Sequence, residues 1–339
     1  MRRKGSKGAS RRGRGTLAAA GLLVLHGWAA GQESHPPTGP LDVWPQSPLH
    51  DLRLGHLPRP VRTLDEGRTR VSFATNWVNI WNQRQGDLQV DYETLETVVA
   101  GAHGLGQGLE IEVFYRQRNR FGGVLDSLIE TWHDLFGLSQ NGRDDFASDE
   151  VVIEIPATAT DPAVSTDVVG TLNEDLGLRL QQGLAPWGRR GPELGWAATV
   201  LWHAGGDNEL EGPRDLDFGA TLLVGDELTR DLHGQLDLSY HWLGSESFAG
   251  LDLERRNFSA FASLEWTCSA KTSVVLQYLW TDQVARTRFP YDQAAHEIAL
   301  GLRRRTGPDT WFELALIENA FRIDNSPDFG LHFGLVTHL

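Results

Sequence analysis

The sequence predicts an all-β fold: a closed antiparallel transmembrane β-barrel of about twelve strands, with one amphipathic helix in a long loop. Three observations point to it. Apolar and polar residues alternate with a period of two along most of the chain after Arg68, so each run has one apolar and one polar face. The runs extend over about 10–16 residues, beyond the ~5–6 of an ordinary strand and enough for a tilted strand to cross an outer membrane. The gaps between runs are alternately short and long, the asymmetry of a barrel with tight turns at one end and loops at the other.

The elements follow in order. Residues 1–15 hold Arg2, Arg3, Lys4, Lys7, Arg11, Arg12 and Arg14 and no acidic residue. An apolar run from Thr16 to Leu25 follows, then the small residues Ala29-Ala30-Gly31. This is the pattern of a secretory signal peptide over 1–31, with an apolar stretch too short to span a bilayer. Residues 32–67 carry Pro36, Pro37, Pro40, Pro45, Pro48, Pro58 and Pro60 with little apolar periodicity, and read as an extended, Pro-rich periplasmic leader. The barrel is expected over 68–339.

Twelve runs are marked there: 68–82, 88–103, 108–118, 170–182, 193–205, 213–225, 230–243, 255–267, 271–282, 293–304, 310–319 and 328–339. The alternation is clean in several of them. Leu194, Trp196, Ala198, Val200 and Trp202 oppose Glu193, Gly195, Ala197 and Thr199; Leu216, Phe218, Ala220, Leu222 and Val224 oppose Asp215, Asp217, Gly219 and Thr221. Leu236, Leu238, Tyr240 and Trp242 oppose Gln235, Asp237, Ser239 and His241; Phe258, Leu264 and Trp266 oppose Asn257, Ser263 and Glu265. The run 88–103 has two phases in conflict, Leu95 and Val99 against Val90 and Val98. Tyr240, Trp242, Tyr278 and Trp280 fall at outer strand ends and Trp266 at an inner one, where aromatic girdles sit. Backbone edges cannot stay unpaired in lipid, so first strand must close on last. An even number of strands puts both ends in the periplasm. Gly104-Leu-Gly-Gln-Gly108 reads as a tight turn, and Val151–Ile155 as part of the external insert 119–169.

Within that insert Leu125, Leu128, Ile129, Trp132 and Phe136 fall at helical spacing between Gly123 and Gly137, which predicts an amphipathic helix over 123–136. Its apolar stripe needs a partner: the outer leaflet, the barrel mouth or the lumen. The run Gly123-x-Leu125-Asp126-x-x-Ile129-Glu130-x-x-His133-x-x-Phe136-Gly137-Leu138, with Arg143 after it, resembles the signature of an uncharacterised family, domain of unknown function 3187. The resemblance extends more loosely over residues 48–339. It implies an outer-membrane barrel of a Gram-negative bacterium, and it brings no activity and no catalytic residues.

Composition narrows the function classes. Beyond the signal the chain keeps 24 basic and 45 acidic residues, a net charge of −21, with Lys271 the one remaining lysine. That balance argues against nucleic acid as a partner. Cys268 has no second cysteine to pair with, which excludes a disulfide framework and a cysteine metal cluster. No cofactor motif is present. The inward positions are expected to include Glu110, Glu112, Asp175, Glu193, Asp215, Asp217, Asp237 and Glu265 opposed by Arg179 and Arg303, a net-acidic pore lining that favours cations. The same residues suit Arg–carboxylate bracing of a closed interior, and the lumen of twelve strands is small enough to be filled by the 123–136 helix or the leader. Asp126, Glu130 and His133 form one helical stripe that suits a divalent cation or a solvated face. Asp237, Ser239, His241 and Ser245 raise a lipid hydrolase, although no Gly-x-Ser-x-Gly elbow is present. The function expected is a passive narrow pore for small solutes or cations, with outer-membrane lipid around it. The alternatives are a non-conducting structural barrel of the envelope and an outer-membrane lipid hydrolase; the oligomeric state stays open.

Overall fold

The computed structural model describes residues 38–84, 88–127, 129, 131, 150–157, 163–167, 169–184, 191–205, 215–248, 251–286, 290–319 and 325–339. The expected signal segment, and with it residues 1–31, lies outside the described residues. In chain order the strands are β1 (Thr69–Arg84), β2 (Leu88–Gly106), β3 (Leu109–Phe121), β4 (Val152–Ile155), β5 (Val164–Thr166), β6 (Gly170–Leu184), β7 (Glu193–Gly205), β8 (Leu216–Thr229), β9 (Leu232–Trp242), β10 (Ser247–Phe248), β11 (Leu251–Asp252), β12 (Arg256–Ser269), β13 (Thr272–Thr281), β14 (Ala295–Arg305), β15 (Thr310–Asn319) and β16 (Phe329–His338).

Twelve of them, β1–β3, β6–β9 and β12–β16, each pair antiparallel with the next. β1 then pairs with β16, from Arg70 opposite His338 to Asn79 opposite Phe329, which closes the barrel. Closure supplies partners for the two edges that an open sheet would leave bare. The twelve observed strands coincide with the twelve alternating runs, and Glu193–Gly205 and Thr310–Asn319 match them residue for residue. Pairing also settles the phase of β2: Leu95 lies opposite the outward Trp77, while Val90 and Val98 point into the barrel and are buried. At Gly106 and Gly108 the backbone takes φ of +87° and +74° with Gln107 at +54° between them. This is the tight turn expected there, in a conformation that glycine adopts without steric cost.

The outward face is apolar. Leu222, Leu236, Leu238, Leu264, Leu300, Leu302, Leu314 and Leu335 are all exposed, whereas polar residues beside six of them, such as Thr221, Gln235, Asp237, Glu265, Arg303 and Glu313, point inward and are buried. At the long-loop end the sheet extends beyond the closed part. β4 pairs with the tip of β2, from Gln89 opposite Glu154 to Asp91 opposite Val152, and β5 pairs with β4. Ile153 and Ile155 join Val90, Tyr92, Leu251, Leu253, Val284 and Tyr291 in an apolar cap over that mouth.

Two expectations need correction. The helix expected over 123–136 is not supported as such: the described part holds one helical turn, closed by the Ile129 N–H donating to the Leu125 carbonyl at 2.8 Å. Leu125 and Ile129 pack on the outward side of the wall, against Phe329, Trp77, Leu316 and Leu331, and not in the lumen. Outward apolar positions near the rim offer them the burial that water denies. The second correction concerns the leader. Residues 38–65 do not lie apart from the barrel in the periplasm; they run through it.

Candidate functional site: a lumen filled by the chain itself

The segment before β1 forms a hairpin inside the barrel. Its rising arm meets the wall near the short turns, where Thr38 and Gly39 N–H both donate to Glu265 at 2.9 Å. It continues past Gln277, which accepts from Leu41 N–H. Near the long-loop end Gln46 and Ser47 N–H donate to Glu297 at about 2.9–3.0 Å. The chain turns over at 47–53, where Asp51 N–H reaches the Ser47 carbonyl and Arg53 N–H the His50 carbonyl. At this apex His50 contacts the Asp282 carbonyl at 2.8 Å, and Arg53 donates to the carbonyls of Ser245 and Glu254. The falling arm then gives Leu54 N–H to Asp217, His56 to Ser239, Arg59 to Glu112 and Leu64 N–H to Glu110 before β1 begins.

The arms pack on each other. A side-chain carbon on Gly55 would stand 2.5 Å from Pro45, and one on Gly39 would stand 2.8 Å from Pro60. Both sites therefore require glycine for close approach. The Arg59 guanidinium bridges the arms, donating to Asp42 at 2.6 Å and to Glu112 of the wall at 2.8 and 3.0 Å. Trp44, 1% exposed, packs edge-on against Phe114 at 5.0 Å with the Arg116 guanidinium over its ring at 5.4 Å. Proline-rich chain has few N–H groups and little local structure, so it threads a lumen extended, provided the wall supplies acceptors.

The sequence-predicted lining residues all have the inward phase, and most already have partners. Glu110 and Glu112 accept from Arg70 at 2.9 and 3.0 Å. Asp175 binds Arg116, and His203 bridges Asp175 and Asp217 at 2.7 and 2.9 Å. Asp217 also accepts from Gly244 N–H at 2.8 Å. Arg179 donates to Gln181 at 2.9 Å, and Asp237 accepts from Gln235 at 2.9 Å and faces His56 at 3.3 Å. Arg303 donates to Glu313 at 2.7 Å, lies 3.5 Å from Glu265, and holds the carbonyls of Gly39 and Pro40 at 2.7 Å. Glu193 pairs with Arg62 at the short-turn rim, and Asp215 sits where β8 begins, its carbonyl accepting from His203 N–H.

Asp126 is buried outside the wall, where it accepts from Asn79 at 3.2 Å. Glu130 and His133 lie outside the described residues. Ser239 is contacted by His56 at 2.9 Å and Thr221 at 3.0 Å, so its imidazole partner comes from the hairpin and not from His241. Ser239 and Asp237 are buried beneath the hairpin, together with its own His56. Sequence reasoning missed Glu96, which joins Arg118, Asn76 and Gln46, and missed His203 and the hairpin residues Arg53, His56 and Arg59. Parity within β7 marks His203 as inward, whereas β2 carries apolar residues in both phases and its pairing with β1, Asn76 opposite Glu96, is what places Glu96 inside. Nothing in an extended leader marks the other three. Outside the strands, burial at the apex lowers the pKa of His50 from 6.5 to about 4.

A closed twelve-stranded antiparallel β-barrel with an apolar outer belt and a polar, self-filled lumen is the class of fold these strands and side chains define. The chain is similar to the COG4313 outer membrane channel from Pseudomonas putida F1, at a TM-score of 0.56 and 12% identity over 84% of this chain and all of that one. It is also similar to the NanC porin, at a TM-score of 0.48 and 9% identity over 79% of this chain and all of that one. At such identities the likeness concerns fold alone. No curated protein matches the sequence. The sequence model of the family described as Protein of unknown function (DUF3187) matches residues 20–338, and the chain belongs to that family.

Proposed function

We propose that the protein is an outer-membrane channel for small solutes whose lumen is closed at rest by its own N-terminal hairpin. The observation that carries this reading is the hairpin over residues 38–65, seated on the wall from the short-turn end at Glu265 to the long-loop end at Glu297 and back to Glu110. An outer belt of exposed leucines supports a lipid surround, since exposed apolar area on this scale is costly in water. The hairpin is held by hydrogen bonds and ion pairs to the wall, which can be exchanged for water or solute one at a time, and by burial of Leu41, Trp44, Leu54, Leu57 and Val61 against wall residues.

The acidic lining acts here first as a set of acceptors for the hairpin and only then as a determinant of selectivity. Conduction therefore requires displacement of the hairpin, wholly or in part. The test is single-channel recording on the full mature protein in a planar bilayer, with a salt gradient. A closed baseline with discrete, cation-selective openings supports the reading. Folded, inserted protein that never conducts at any voltage refutes it and leaves the second reading, a structural barrel of the envelope, which the same filled lumen favours.

The lipid hydrolase loses ground on geometry. Asp237, Ser239 and His241 alternate along one strand and do not converge, and Ser239 lies under the hairpin, where no lipid ester reaches it. The Asp126–Glu130–His133 stripe adds nothing to the reading, because two of its three members fall outside the described residues.

A further inference from the structure

We propose that Arg304, with Lys271 and Arg305 beside it, forms a binding site for the phosphate of an anionic phospholipid at the short-turn edge of the outer belt. The inference uses the lipid surround of the barrel and is independent of conduction. Arg304 shares the outward phase of the exposed Leu300 and Leu302, and it is itself exposed. Register places it one row nearer the turns than the apolar belt. Trp266, Val274, Leu302 and Leu314 form the last continuous apolar row across β12–β15, and Thr272, Arg304 and Phe312 form the row below it. Lys271 precedes Thr272 in the neighbouring turn, and its carbonyl accepts from Arg305 N–H at 2.8 Å. The two turns therefore bring three cations to one stretch of the rim.

Their charge is not cancelled by the protein. Among the described residues none of the three meets a carboxylate. Asp309, the carboxylate of the β14–β15 turn, faces Arg68 at 3.6 Å. Arg305 lies over the Trp311 ring at 5.6 Å and donates to the Gly307 and Pro308 carbonyls, which hold its side chain without neutralising it. The rest of the described short-turn end differs. Arg62 is paired with Glu193, Asp65 and Glu66 are exposed, and Asp226, Glu227 and Asp231 outnumber Arg230.

A long cationic side chain at the edge of an apolar belt lays its stem along the acyl chains and carries its charge to the headgroup level. A guanidinium there matches a phosphate diester with two parallel hydrogen bonds. A zwitterionic headgroup brings an ammonium with its phosphate and leaves the three cations uncompensated. A headgroup of net negative charge does not. The lipid-facing phase of Arg304 favours a lipid over a soluble partner, and the short-turn end is the periplasmic one in the barrel reading, where the leaflet is built of phospholipid.

The test uses the full mature protein in phosphatidylcholine vesicles, with Trp266, 53% exposed on the adjoining row, as reporter. Subtracting the signal of Trp266→Phe isolates its fluorescence from that of the other tryptophans. Phosphatidylglycerol brominated on its acyl chains is the probe, and brominated phosphatidylcholine is the comparison. The expected result is equal quenching at a mole fraction of phosphatidylglycerol lower by at least about fivefold, the effect of one Lys or Arg near a charged membrane surface. In a protein carrying Lys271→Gln and Arg304→Gln the ratio falls toward one, and molar salt lowers it in the parent. Both side chains are exposed, and heat-modifiable mobility checks that the variant barrel is folded.

Equal quenching by the two lipids in the parent overturns the proposal, as does a preference that survives intact in the folded double variant. Quenching by neither lipid removes the lipid surround and the proposal with it. A protein that shows the preference and never conducts removes the channel and keeps the lipid site. A conducting protein without the preference does the reverse.

Discussion

Arg59→Ala releases the hairpin by a calculable amount. The Arg59 side chain is buried, and it holds Glu112 through Nε and Nη2 and Asp42 through Nη1 at 2.6–3.0 Å. Removing one partner of a buried ion pair costs about 3–5 kcal/mol, because the remaining charge stays buried without it. Glu112 retains Arg70 at 3.0 Å, so the lower end applies. At about 1.4 kcal/mol per tenfold, a cost of ~3 kcal/mol raises the displaced fraction on the order of a hundredfold. The barrel strands themselves lose nothing, and heat-modifiable mobility stays as in the parent protein. The assay is the open fraction in planar-bilayer recordings. A second measure is the rate of labelling by a membrane-impermeant maleimide at Ser47→Cys, a fully buried hairpin position, with the exposed Cys268 replaced by serine. Glu112→Gln repeats most of the effect, and the double variant adds little to either single one, as expected for residues that share one interaction. An Arg59→Ala protein with the closed fraction and labelling rate of the parent would refute the reasoning, since the hairpin would then be held by something other than these contacts.

Three further outcomes are expected. Trp44→Ala removes the ring packed on Phe114 and costs the seated hairpin about 3–5 kcal/mol, read as faster labelling at Ser47→Cys with unaltered barrel mobility on gels. His50 is buried neutral with its pKa lowered to about 4, so the displaced state binds the proton more readily than the seated one. The seated state keeps its full stability above about pH 6.5 and loses it as the pH falls toward 4; the open fraction rises over that window, and His50→Gln flattens the rise. Leu222 faces outward at 61% exposure in mid-strand. Leu222→Arg costs about 2–4 kcal/mol in lipid and Leu228→Arg, at the strand end, about 0–1. Urea titrations in vesicles that show no difference between the two would argue that the belt faces water.

Strand existence and inward phase were legible because both are local. Alternation with a period of two is a property of each run, and a slip by one residue would turn every leucine of the belt inward. Parity alone therefore placed Glu110, Glu112, Asp175, Asp237 and Glu265 on the luminal face, where all of them lie buried. In β2 both phases carry apolar residues, because Val98 and Ala100 pack inside against the hairpin side of the lumen together with Trp44 and Phe114. There the pairing of Trp77 with Leu95, and not the pattern, decided the register.

By itself the sequence determined the strands, their order of turns and loops, and the sign of the lining, since each depends on neighbours within a few residues. It could not place the leader. Proline removes N–H groups and suppresses local periodicity, so residues 38–65 carry no signal of their own structure. Their partners are set by closure of the barrel: Thr38 and Glu265 are 227 residues apart, and Gln46 and Glu297 are 251 apart. Only the tertiary structure decided that the acidic lining serves the hairpin, because buried carboxylates require donors and the nearest supply is the chain that precedes the first strand.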